Sequence, residues 1–323
     1  MSKIQSLTDL IGNTPIVQVK NIDTGYCNLY LKLESMNPGS SIKDRVALKI
    51  IEDAEKNGEL TKGSTVVEAT AGNTGLGLAL IALLKGYKAK VVILDKMNLN
   101  KIYHLKALGA EVTLARSDVG PDSSEHYVNV AKKICEATEK SFMANQFSNK
   151  SNPIAHEETT GPEIFDQMNG DVDAVVCGVG TGGTISGLGK YFSKVSPKTE
   201  MVLADPKGSI VKDVVENNEV KPADYSWLVE GIGEDFIPDT LDIKYIKKAY
   251  EITNKEAFET IRILAQKEGI IGGSSSGTLI SAALKYCKDQ DTKKNVVTFV
   301  CDSGEKYLNT AYNKEWLKEK NLI

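Results

Sequence analysis

The hydrophobic and polar positions of the chain divide it into two kinds of segment. Short runs that are apolar at nearly every position alternate with longer segments whose apolar residues recur every three or four positions. The first kind predicts strands buried on both faces, and the second predicts amphipathic helices. The pattern predicts strands at 15–19, 28–34, 65–69, 89–94, 111–115, 141–145, 173–179, 200–204 and 295–301. It predicts helices at 42–54, 73–85, 98–108, 123–138, 157–169, 255–268 and 277–288, with a short helix before residue 15 and another at the C-terminus.

This alternation predicts an α/β fold with mostly parallel sheets that helices cover on both faces. The 323 residues are enough for two domains of this kind. In such sheets ligands bind beyond the carboxyl ends of the strands, so the loops that follow strands are the candidates for chemistry.

Composition and charge exclude several classes of function. Hydrophobic residues make up 41% and charged residues 25% of the chain, which is ordinary for a soluble globular protein. The formal net charge of −4 provides no basic surface for nucleic acid or anionic lipid. The longest apolar run, 76–84, is too short to span a bilayer. Because the N-terminus lacks the apolar core of a signal peptide, we expect a cytoplasmic protein.

Cysteine and histidine are sparse and scattered. Their spacing is typical neither of metal ligands nor of a disulfide framework, so we expect reduced thiols and no metal site. The residues are Cys27, Cys135, Cys177, Cys287, Cys301, His104, His126 and His156.

One lysine stands at a predicted helix start. The stretch 36–45, MNPGSSIKDR, combines an Asn-Pro-Gly turn with an apolar-periodic segment, and Ser40 or Ser41 is placed to cap the helix. Lys43 then falls in the first turn, where the helix dipole disfavours an ammonium group. Such a lysine either extends into water or takes part in chemistry. This stretch alone favours a solvent-exposed lysine side chain.

The loop 70–75, with the sequence TAGNTG, joins a predicted strand to a helix N-terminus. Its main-chain N–H groups and small polar side chains suit an anion, in particular a carboxylate. An equal alternative is that Asn73 only caps the helix and that the glycines allow close packing.

The loop 178–184, GVGTGGT, follows an apolar strand and opens a helix. Four glycines and two threonines favour a nest of N–H and hydroxyl groups for a phosphate. The same loop fits the dinucleotide pattern G-x-G-x-x-G, with Asp205 as the acid that ends the next strand. That pattern usually belongs to the first βα unit of a domain, whereas this loop comes late in the chain.

Two further loops each allow two interpretations of their role. The loop 272–277, GGSSSG, could cap a helix or place a hydroxyl in a cleft where the backbone approaches a planar ligand. The loop 229–238, VEGIGEDFIP, has acids and an aromatic among small residues. It could be a mobile active-site loop or an exposed acidic turn.

Together, Lys43 and these loops suit a ligand that has a carbonyl, a phosphate and a polar ring atom. Pyridoxal phosphate fits this description, with Lys43 as its Schiff-base partner. The chain resembles the cysteine synthase and cystathionine β-synthase family, whose members are fold type II pyridoxal-phosphate enzymes. The resemblance is carried by NPGSSIKDR, EATAGNTG, SNPIAH, GVGTGGTISG, VEGIGEDFIP and GGSSSG, which follow in family order from about residue 11 to the C-terminus.

The resemblance implies two α/β domains with open, mostly parallel twisted sheets. A smaller, mobile domain is expected at 44–150, and a larger cofactor-binding domain is expected from 1–43 together with 151–323. The chain is similar to the catalytic core of the cystathionine β-synthase branch, without its haem-binding extension or regulatory pair. A homodimer is also implied.

The resemblance further implies roles for individual residues. Lys43 would form the internal aldimine and then act as base and acid at the α-carbon. The cofactor ring oxygen would be held by Asn73 and its pyridine nitrogen by Ser274. The phosphate would be bound by Gly180, Thr181, Gly182, Gly183 and Thr184. The substrate α-carboxylate would be held by Thr70, Gly72, Thr74 and Gln146.

The hydroxyl of Ser274 favours one class of reaction. Unlike a carboxylate, it does not keep the pyridine nitrogen protonated, so the ring is a weaker electron sink and transamination is disfavoured. The implied chemistry is β-replacement on serine, O-acetylserine or cysteine through an aminoacrylate intermediate, with small amino acids and thiols as substrates. Hydrogen sulfide could be released from cysteine, giving lanthionine, cystathionine or serine. The alternatives are a nicotinamide-dependent oxidoreductase and a non-catalytic binding protein on the same fold.

Two positions depart from the family pattern. Ala71, in the substrate loop, replaces the usual serine and removes a hydroxyl beside the substrate. Glu234 replaces the tyrosine that is usual in the cystathionine β-synthase branch. We hypothesise that Glu234 or Asp235 lies near the β-carbon as a general base or acid. An equal alternative is that Glu234 points into solvent.

Overall fold

The structure is a computed structural model that describes residues 4–70, 72–95, 99–120, 122–220, 222–223 and 226–323. The chain divides into two compact units, the first comprising Met1–Ile11 and Asn37–Asn152, the second Gly12–Met36 and Pro153–Ile323. The expected division, with 44–150 in one domain and 1–43 plus 151–323 in the other, differs from this grouping at 1–11, at 37–43 and by two residues at 151–152. Residues 37–43 run directly into the first long helix. The mobility of the smaller domain stays a prediction.

The helices and strands of the described residues are numbered in chain order. The strands are β1 (Ile16–Gln18), β2 (Asn28–Lys32), β3 (Thr65–Ala69), β4 (Lys88–Leu94), β5 (Glu111–Ala115), β6 (Ser141–Met143), β7 (Ala174–Gly178), β8 (Glu200–Pro206), β9 (Ile246–Ile252) and β10 (Asn295–Phe299). The helices are α1 (Lys43–Lys56), α2 (Asn73–Lys85), α3 (Leu99–Ala107), α4 (Tyr127–Ala137), α5 (Ser151–Ala155), α6 (Gly161–Gln167), α7 (Gly183–Val195), α8 (Val211–Asn217), α9 (Asn254–Glu268), α10 (Ser274–Lys288) and α11 (Lys314–Glu319). A π-helical turn, His156–Thr160, separates α5 from α6.

The first unit is built on a parallel sheet with the strand order β5-β4-β3-β6. Strand β3 is buried at every position because both faces of the sheet are covered. On one face Val66 packs in a cluster with residues of α1 and α2, including Ile50 and Leu76. On the other face Val67 packs in a cluster with Ala131 of α4. The apolar sequence of β3 follows from this double burial.

The second unit contains a sheet with the strand order β1-β2-β10-β7-β8-β9. All neighbouring strands are parallel except β1 and β2, which pair antiparallel. The predicted α/β class with mostly parallel sheets is therefore confirmed. The described residues include no helix long and apolar enough to span a membrane.

Several elements differ from the sequence-based expectation. Strand β9 and helices α5 and α8 were not predicted, and the helix expected at 157–169 is the π-helical turn followed by α6. Strand β9 lies at the sheet edge and exposes Lys247 and Lys248, so its sequence lacks the apolar run that marks a buried strand. Helix α10 begins at Ser274 rather than at Gly277. Its first three residues are Ser274, Ser275 and Ser276, and its N-cap is Gly273.

Helices α9 and α10 approach closely at one glycine. A Cβ atom added at Gly277 would overlap the carbonyl oxygen of Ala257 and lie 3.3 Å from the Cβ of Ile261. The absence of a side chain at Gly277 therefore sets the distance between the two helices.

We expect Gly277→Ala to lower the free energy of unfolding by about 2 kcal/mol, because overpacking outweighs the roughly 1 kcal/mol gained from helix propensity. Gly120→Ala is the control, since a Cβ there meets no atom within 4 Å. Urea denaturation followed by circular dichroism measures both variants. Equal stability of the two would contradict the close approach.

Candidate functional site

Lys43 is the first residue of α1, as predicted, and its side chain is half-buried. Its main-chain N–H donates to the Ser41 hydroxyl at 3.2 Å, although Ile42 is the N-cap residue. The preceding turn is held to the helix because the Gly39 N–H donates to the buried Asp44 carboxylate at 2.6 Å. The positive φ in the turn belongs to Ser40, at 62°, and not to the glycine. This turn fixes where α1 begins and therefore where Lys43 leaves the backbone.

The loop 70–75 lies between the carboxyl end of β3 and the first turn of α2. Asn73 is the first helical residue, and the N-cap is Gly72, so α2 has no side-chain cap. The Gly72 N–H donates to the Thr70 hydroxyl at 3.2 Å. Ala71 lies outside the described residues. The N-terminus of α2 thus presents its positive dipole end beside small polar groups, which favours an anion.

A lysine that the sequence did not single out lies against this loop. Lys101 of α3 is only 4% exposed, and its Nζ would lie 3.0 Å from a Cβ added at Gly72. Its positive charge adds to that of the α2 N-terminus. In the sequence Lys101 is an ordinary position of an amphipathic helix, so no pattern distinguishes it from a solvent-exposed lysine.

Gln146 reaches the same loop from the end of β6. The Thr74 hydroxyl donates to Gln146 Oε1, and the Asn152 side chain donates to the Gln146 carbonyl at 2.9 Å. Lys43 lies near this group as well, because its carbonyl oxygen would be 3.2 Å from a Cβ added at Gly77 of α2. The first unit therefore brings Lys43, Thr70, Gly72, Asn73, Thr74 and Gln146 to the N-terminal ends of α1 and α2.

Behind Gln146 lies Glu68, a buried acid of β3 to which the sequence interpretation assigned no role. Its Oε1 accepts from the Ala69 N–H at 3.0 Å and its Oε2 from the Gln146 N–H at 3.2 Å. The carboxyl is 2% exposed, and burial raises its pKa to about 8 despite these hydrogen bonds. An acid in the otherwise apolar strand TVVEA was the signal that could have identified it.

In the second unit the loop 178–184 connects β7 to α7. Gly182 is the N-cap of α7 with φ 80°, in the left-handed region that favours glycine, and the helix has no side-chain cap. The Thr181 carbonyl accepts from the Thr240 hydroxyl. Gly183 is the first residue of α7 and Thr184 the second. This uncapped helix start is a suitable phosphate site.

Two glycines of this loop also serve packing. A Cβ at Gly180 would overlap the carbonyl oxygen of Gly231, and one at Gly178 would lie 2.9 Å from Leu279. The absence of a side chain at these two positions is therefore required for packing. Because Gly180 admits the 229–238 loop, the two loops lie in direct contact.

The 229–238 loop joins the glycine loop to α10. The Gly233 N–H donates to the Val179 carbonyl at 2.8 Å, and the Glu230 N–H donates to the Ser274 hydroxyl at 3.0 Å. Ser274 is 2% exposed, and its own hydroxyl hydrogen has no acceptor among the described residues. The 229–238 loop therefore connects the glycine loop before α7 to Ser274, a buried hydroxyl with a hydrogen to donate.

Glu234 and Asp235 differ in their surroundings. The Glu234 backbone is fixed on both sides, since its N–H donates to the Ser209 hydroxyl at 3.1 Å and its carbonyl accepts from the Ile210 N–H at 3.0 Å. The Glu234 side chain is half-buried, whereas Asp235 is exposed.

Asp205, the acid of the nicotinamide alternative, lies inside the protein. It is 1% exposed, and its Oδ2 accepts from the Lys212 N–H at 2.8 Å, in the first turn of α8. Burial raises its pKa to about 6. This carboxylate supports a helix start and is not exposed to bind a ribose. The described residues contain no group of three or more His, Cys, Asp or Glu side chains placed to hold a metal ion.

We expect the free energy of unfolding to fall as pH rises between about pH 5 and pH 8. Glu68 has a folded pKa of about 8 against an ordinary 4.5, so the folded state holds a proton that the unfolded state has lost in this range. In Glu68→Gln this fall should be shallower by up to about 1.4 kcal/mol per pH unit between about pH 5 and pH 8. Urea titrations across pH measure the slopes.

The buried Asp205 provides the internal control. Its raised pKa of about 6 adds the same fall in stability to both proteins at lower pH, so it cancels in the difference between the two curves, which should grow steadily from about pH 5 to about pH 8. Identical slopes over that range would contradict a protonated Glu68.

The chain is similar to known proteins over most of its length. Residues 7–302 match the family described as "Pyridoxal-phosphate dependent enzyme". The chain is 39% identical over 316 residues to the cystathionine beta-synthase of Apis mellifera, covering 97% of this chain and 62% of that protein. It is 41% identical over 330 residues to cysteine synthase A of Escherichia coli strain K12, covering 100% of this chain and 99% of that protein. The chain thus spans about three fifths of the cystathionine beta-synthase but nearly the whole cysteine synthase.

Solved structures are similar over almost the whole chain. A hydrogen sulfide-producing enzyme from Fusobacterium nucleatum matches with a TM-score of 0.87 and 39% identity, covering 95% of this chain and 100% of that one. O-ureido-L-serine synthase matches with a TM-score of 0.88 and 32% identity, covering 96% of this chain and 95% of that one. These comparisons lend no support to a nicotinamide-dependent oxidoreductase.

Proposed function

Because the chain belongs to the family of pyridoxal-phosphate dependent enzymes, we propose that it uses pyridoxal 5'-phosphate to replace the β-substituent of serine, O-acetylserine or cysteine. Sulfur nucleophiles or water are the proposed acceptors, with lanthionine, cystathionine or serine among the products. Release of hydrogen sulfide from cysteine is part of the proposal, supported by the similar Fusobacterium nucleatum enzyme. A homodimer in the cytoplasm is proposed from the family resemblance.

The observation that carries the proposal is the buried hydroxyl at the start of α10. Ser274 has a hydrogen to donate, as an unprotonated pyridine nitrogen requires. A hydroxyl does not keep that nitrogen protonated, so the ring draws electrons weakly. This favours elimination and replacement at the β-carbon over transamination.

The chain also offers donors for the rest of the cofactor. The uncapped start of α7 suits a dianionic phosphate, and the residues proposed to hold it are Gly180, Thr181, Gly182, Gly183 and Thr184. Asn73 is proposed to donate to the ring oxygen. When bound, pyridoxal phosphate supplies an aldehyde that condenses with amines and a ring that draws electrons from the substrate α-carbon.

Lys43 is proposed to hold the cofactor through its Nζ and to move a proton at the substrate α-carbon. Its place in the first turn of α1 supports this, because the positive helix end lowers the affinity of an amine for its proton. The substrate α-carboxylate is proposed to bind at the start of α2, through Thr70, Ala71, Gly72, Thr74 and Gln146. The charge of Lys101 beside Gly72 supports an anion there.

A product assay tests this proposal. The protein with pyridoxal phosphate should convert at least one of serine, O-acetylserine and cysteine when sulfide, homocysteine or no thiol is added, with products identified by mass. Lys43→Ala should fold normally and lose at least about 1,000-fold in rate, because the proposed proton carrier is gone. Borohydride should fix the cofactor on the peptide that contains Lys43.

A colourless protein that binds a nicotinamide cofactor would overturn the proposal. A borohydride-fixed cofactor on another lysine, with full activity in Lys43→Ala, would refute the role of Lys43 alone.

Glu234 is the proposed general base or acid for the incoming or leaving group. Its backbone is anchored to the turn before α8 and its side chain is half-buried, so its position is better fixed than that of the exposed Asp235. A carboxylate there could take the proton of a thiol or of water, which would favour cysteine as the donor substrate.

We expect Glu234→Gln to slow turnover by roughly 100-fold and to change the ratio of lanthionine to serine formed from cysteine. Asp235→Asn is the matched control and should change each by less than about twofold. Steady-state rates and product mass spectra measure both variants. If the rate and the product ratio of Glu234→Gln equal those of the unmodified protein, Glu234 has no acid–base role.

A further inference from the structure

The π-helical turn His156–Thr160 holds a buried histidine that the proposed mechanism does not use. The ring of His156 is 1% exposed. Its Nδ1 lies 2.9 Å from the Thr160 hydroxyl oxygen, and its Nε2 lies 3.2 Å from the Thr184 hydroxyl oxygen. Thr184 belongs to the proposed phosphate loop, so the imidazole connects the π-helical turn to that loop.

A glycine of α7 makes this connection possible. A Cβ added at Gly187 would lie 2.9 Å from the Cβ of His156 and 3.0 Å from the Glu157 nitrogen. Helix α7 therefore packs directly on the π-helical turn. The close approach allows the imidazole to reach the first turn of α7, where Thr184 is the second residue.

The buried hydroxyl of Thr160 decides which ring nitrogen carries the hydrogen. Thr160 is 0% exposed, and His156 Nδ1 is the hydrogen-bond partner of its side chain among the described residues. If Nδ1 carried the hydrogen, the Thr160 hydroxyl hydrogen would be buried without an acceptor, which is costly. An Nδ1 that accepts satisfies the hydroxyl. The neutral ring then carries its hydrogen on Nε2.

The tautomer fixes the orientation of the next hydroxyl. An Nε2–H donates to the Thr184 oxygen, so the hydrogen of the Thr184 hydroxyl is directed to another acceptor. Thr184 is half-buried at the uncapped start of α7. With the opposite tautomer, Thr184 would donate to the ring and would present only lone pairs to an anion.

We propose that His156 is a positioning residue: through its Nε2–H tautomer, which Thr160 selects, it directs the Thr184 hydroxyl hydrogen toward the cofactor phosphate. This inference rests on the proposed function, which places the phosphate at the start of α7. It assigns the π-helical turn a role in cofactor affinity without contact between Thr160 and the cofactor.

Thr160→Val tests the inference because it keeps the side-chain shape and removes the hydroxyl that selects the tautomer. The dissociation constant of pyridoxal phosphate, followed by absorbance or fluorescence titration of the apoprotein, should rise about tenfold, as for a lost hydrogen bond to a charged group. The dissociation constant of pyridoxal, which lacks the phosphate, should be unchanged. Thr160→Ser, which retains a hydroxyl, should restore the affinity for pyridoxal phosphate.

A double variant and a neighbouring control variant test whether the effect passes through Thr184. In Thr184→Val, adding Thr160→Val should weaken pyridoxal phosphate binding no further, because the hydroxyl that His156 orients is already absent. Thr159→Val is the neighbouring control. The Thr159 hydroxyl donates to the Ala155 carbonyl at 2.6 Å, whereas the ring nitrogens of His156 pair with Thr160 and Thr184, so removal of the Thr159 hydroxyl should leave both dissociation constants unchanged.

Nitrogen-15 chemical shifts of the His156 ring read the tautomer without any cofactor. The chain has three histidines, so a His156→Gln variant assigns the signal. We expect Nε2–H in the unmodified apoprotein and a loss of that preference in Thr160→Val. An Nδ1–H ring, an unchanged pyridoxal phosphate affinity in Thr160→Val, or additive effects with Thr184→Val would each overturn the inference.

These outcomes distinguish a failure of the proposed function from a failure of the role proposed for His156. A protein that shows the Nε2–H ring but binds no pyridoxal phosphate would refute the proposed function, and with it the phosphate role of His156. A protein that binds pyridoxal phosphate with equal affinity in Thr160→Val would refute the role of His156 alone.

Discussion

Three helix starts with glycine N-caps are the constraint on which the candidate chemistry depends. Helices α2, α7 and α10 begin after the glycines Gly72, Gly182 and Gly273, and none of the three has a capping side chain. Helix α9, which takes no part in the proposed site, begins instead with a complete capping box at Thr253. Glycine caps expose the positive ends of these helices to anions and to polar ring atoms, as a phosphorylated cofactor and an amino acid require.

The polar groups that could touch a ligand are held by buried polar groups behind them. In the first unit Glu68 accepts from the Gln146 backbone, and Gln146 in turn accepts from Thr74. In the second unit His156 lies between Thr160 and Thr184. Each of these two buried groups forms a hydrogen bond with one residue of the proposed site, Gln146 for Glu68 and Thr184 for His156. Because burial makes an unsatisfied partner costly, these arrangements restrict the ligand-facing side chains to few orientations.

Sequence patterns predicted most elements because central strands of both sheets, such as β3, β7 and β10, are buried on both faces and therefore nearly continuously apolar. They failed at β9, an edge strand whose exposed lysines break the apolar run, and at the start of α10, where a serine run continues a helix. The loops with glycine and small polar residues were recognised because they follow strands. Lys101 was not assigned a role, since a lysine in an amphipathic helix has no distinctive spacing. Glu68 was not assigned a role either, although it is the one acid in an otherwise apolar strand.

The sequence by itself therefore determined the fold class, the place of Lys43 at a helix start and the loops that could bind a phosphorylated cofactor, because these follow from local periodicity, turn residues and motif order. Only the tertiary structure decided which side chains orient those loops. The bond from Gln146 to Glu68 spans 78 positions of the chain, and the bond between Thr184 and His156 spans 28. The burial of Asp205 at the start of α8 is likewise decided by packing. Hydrogen bonds between distant segments depend on how helices and strands pack, and no local pattern records them.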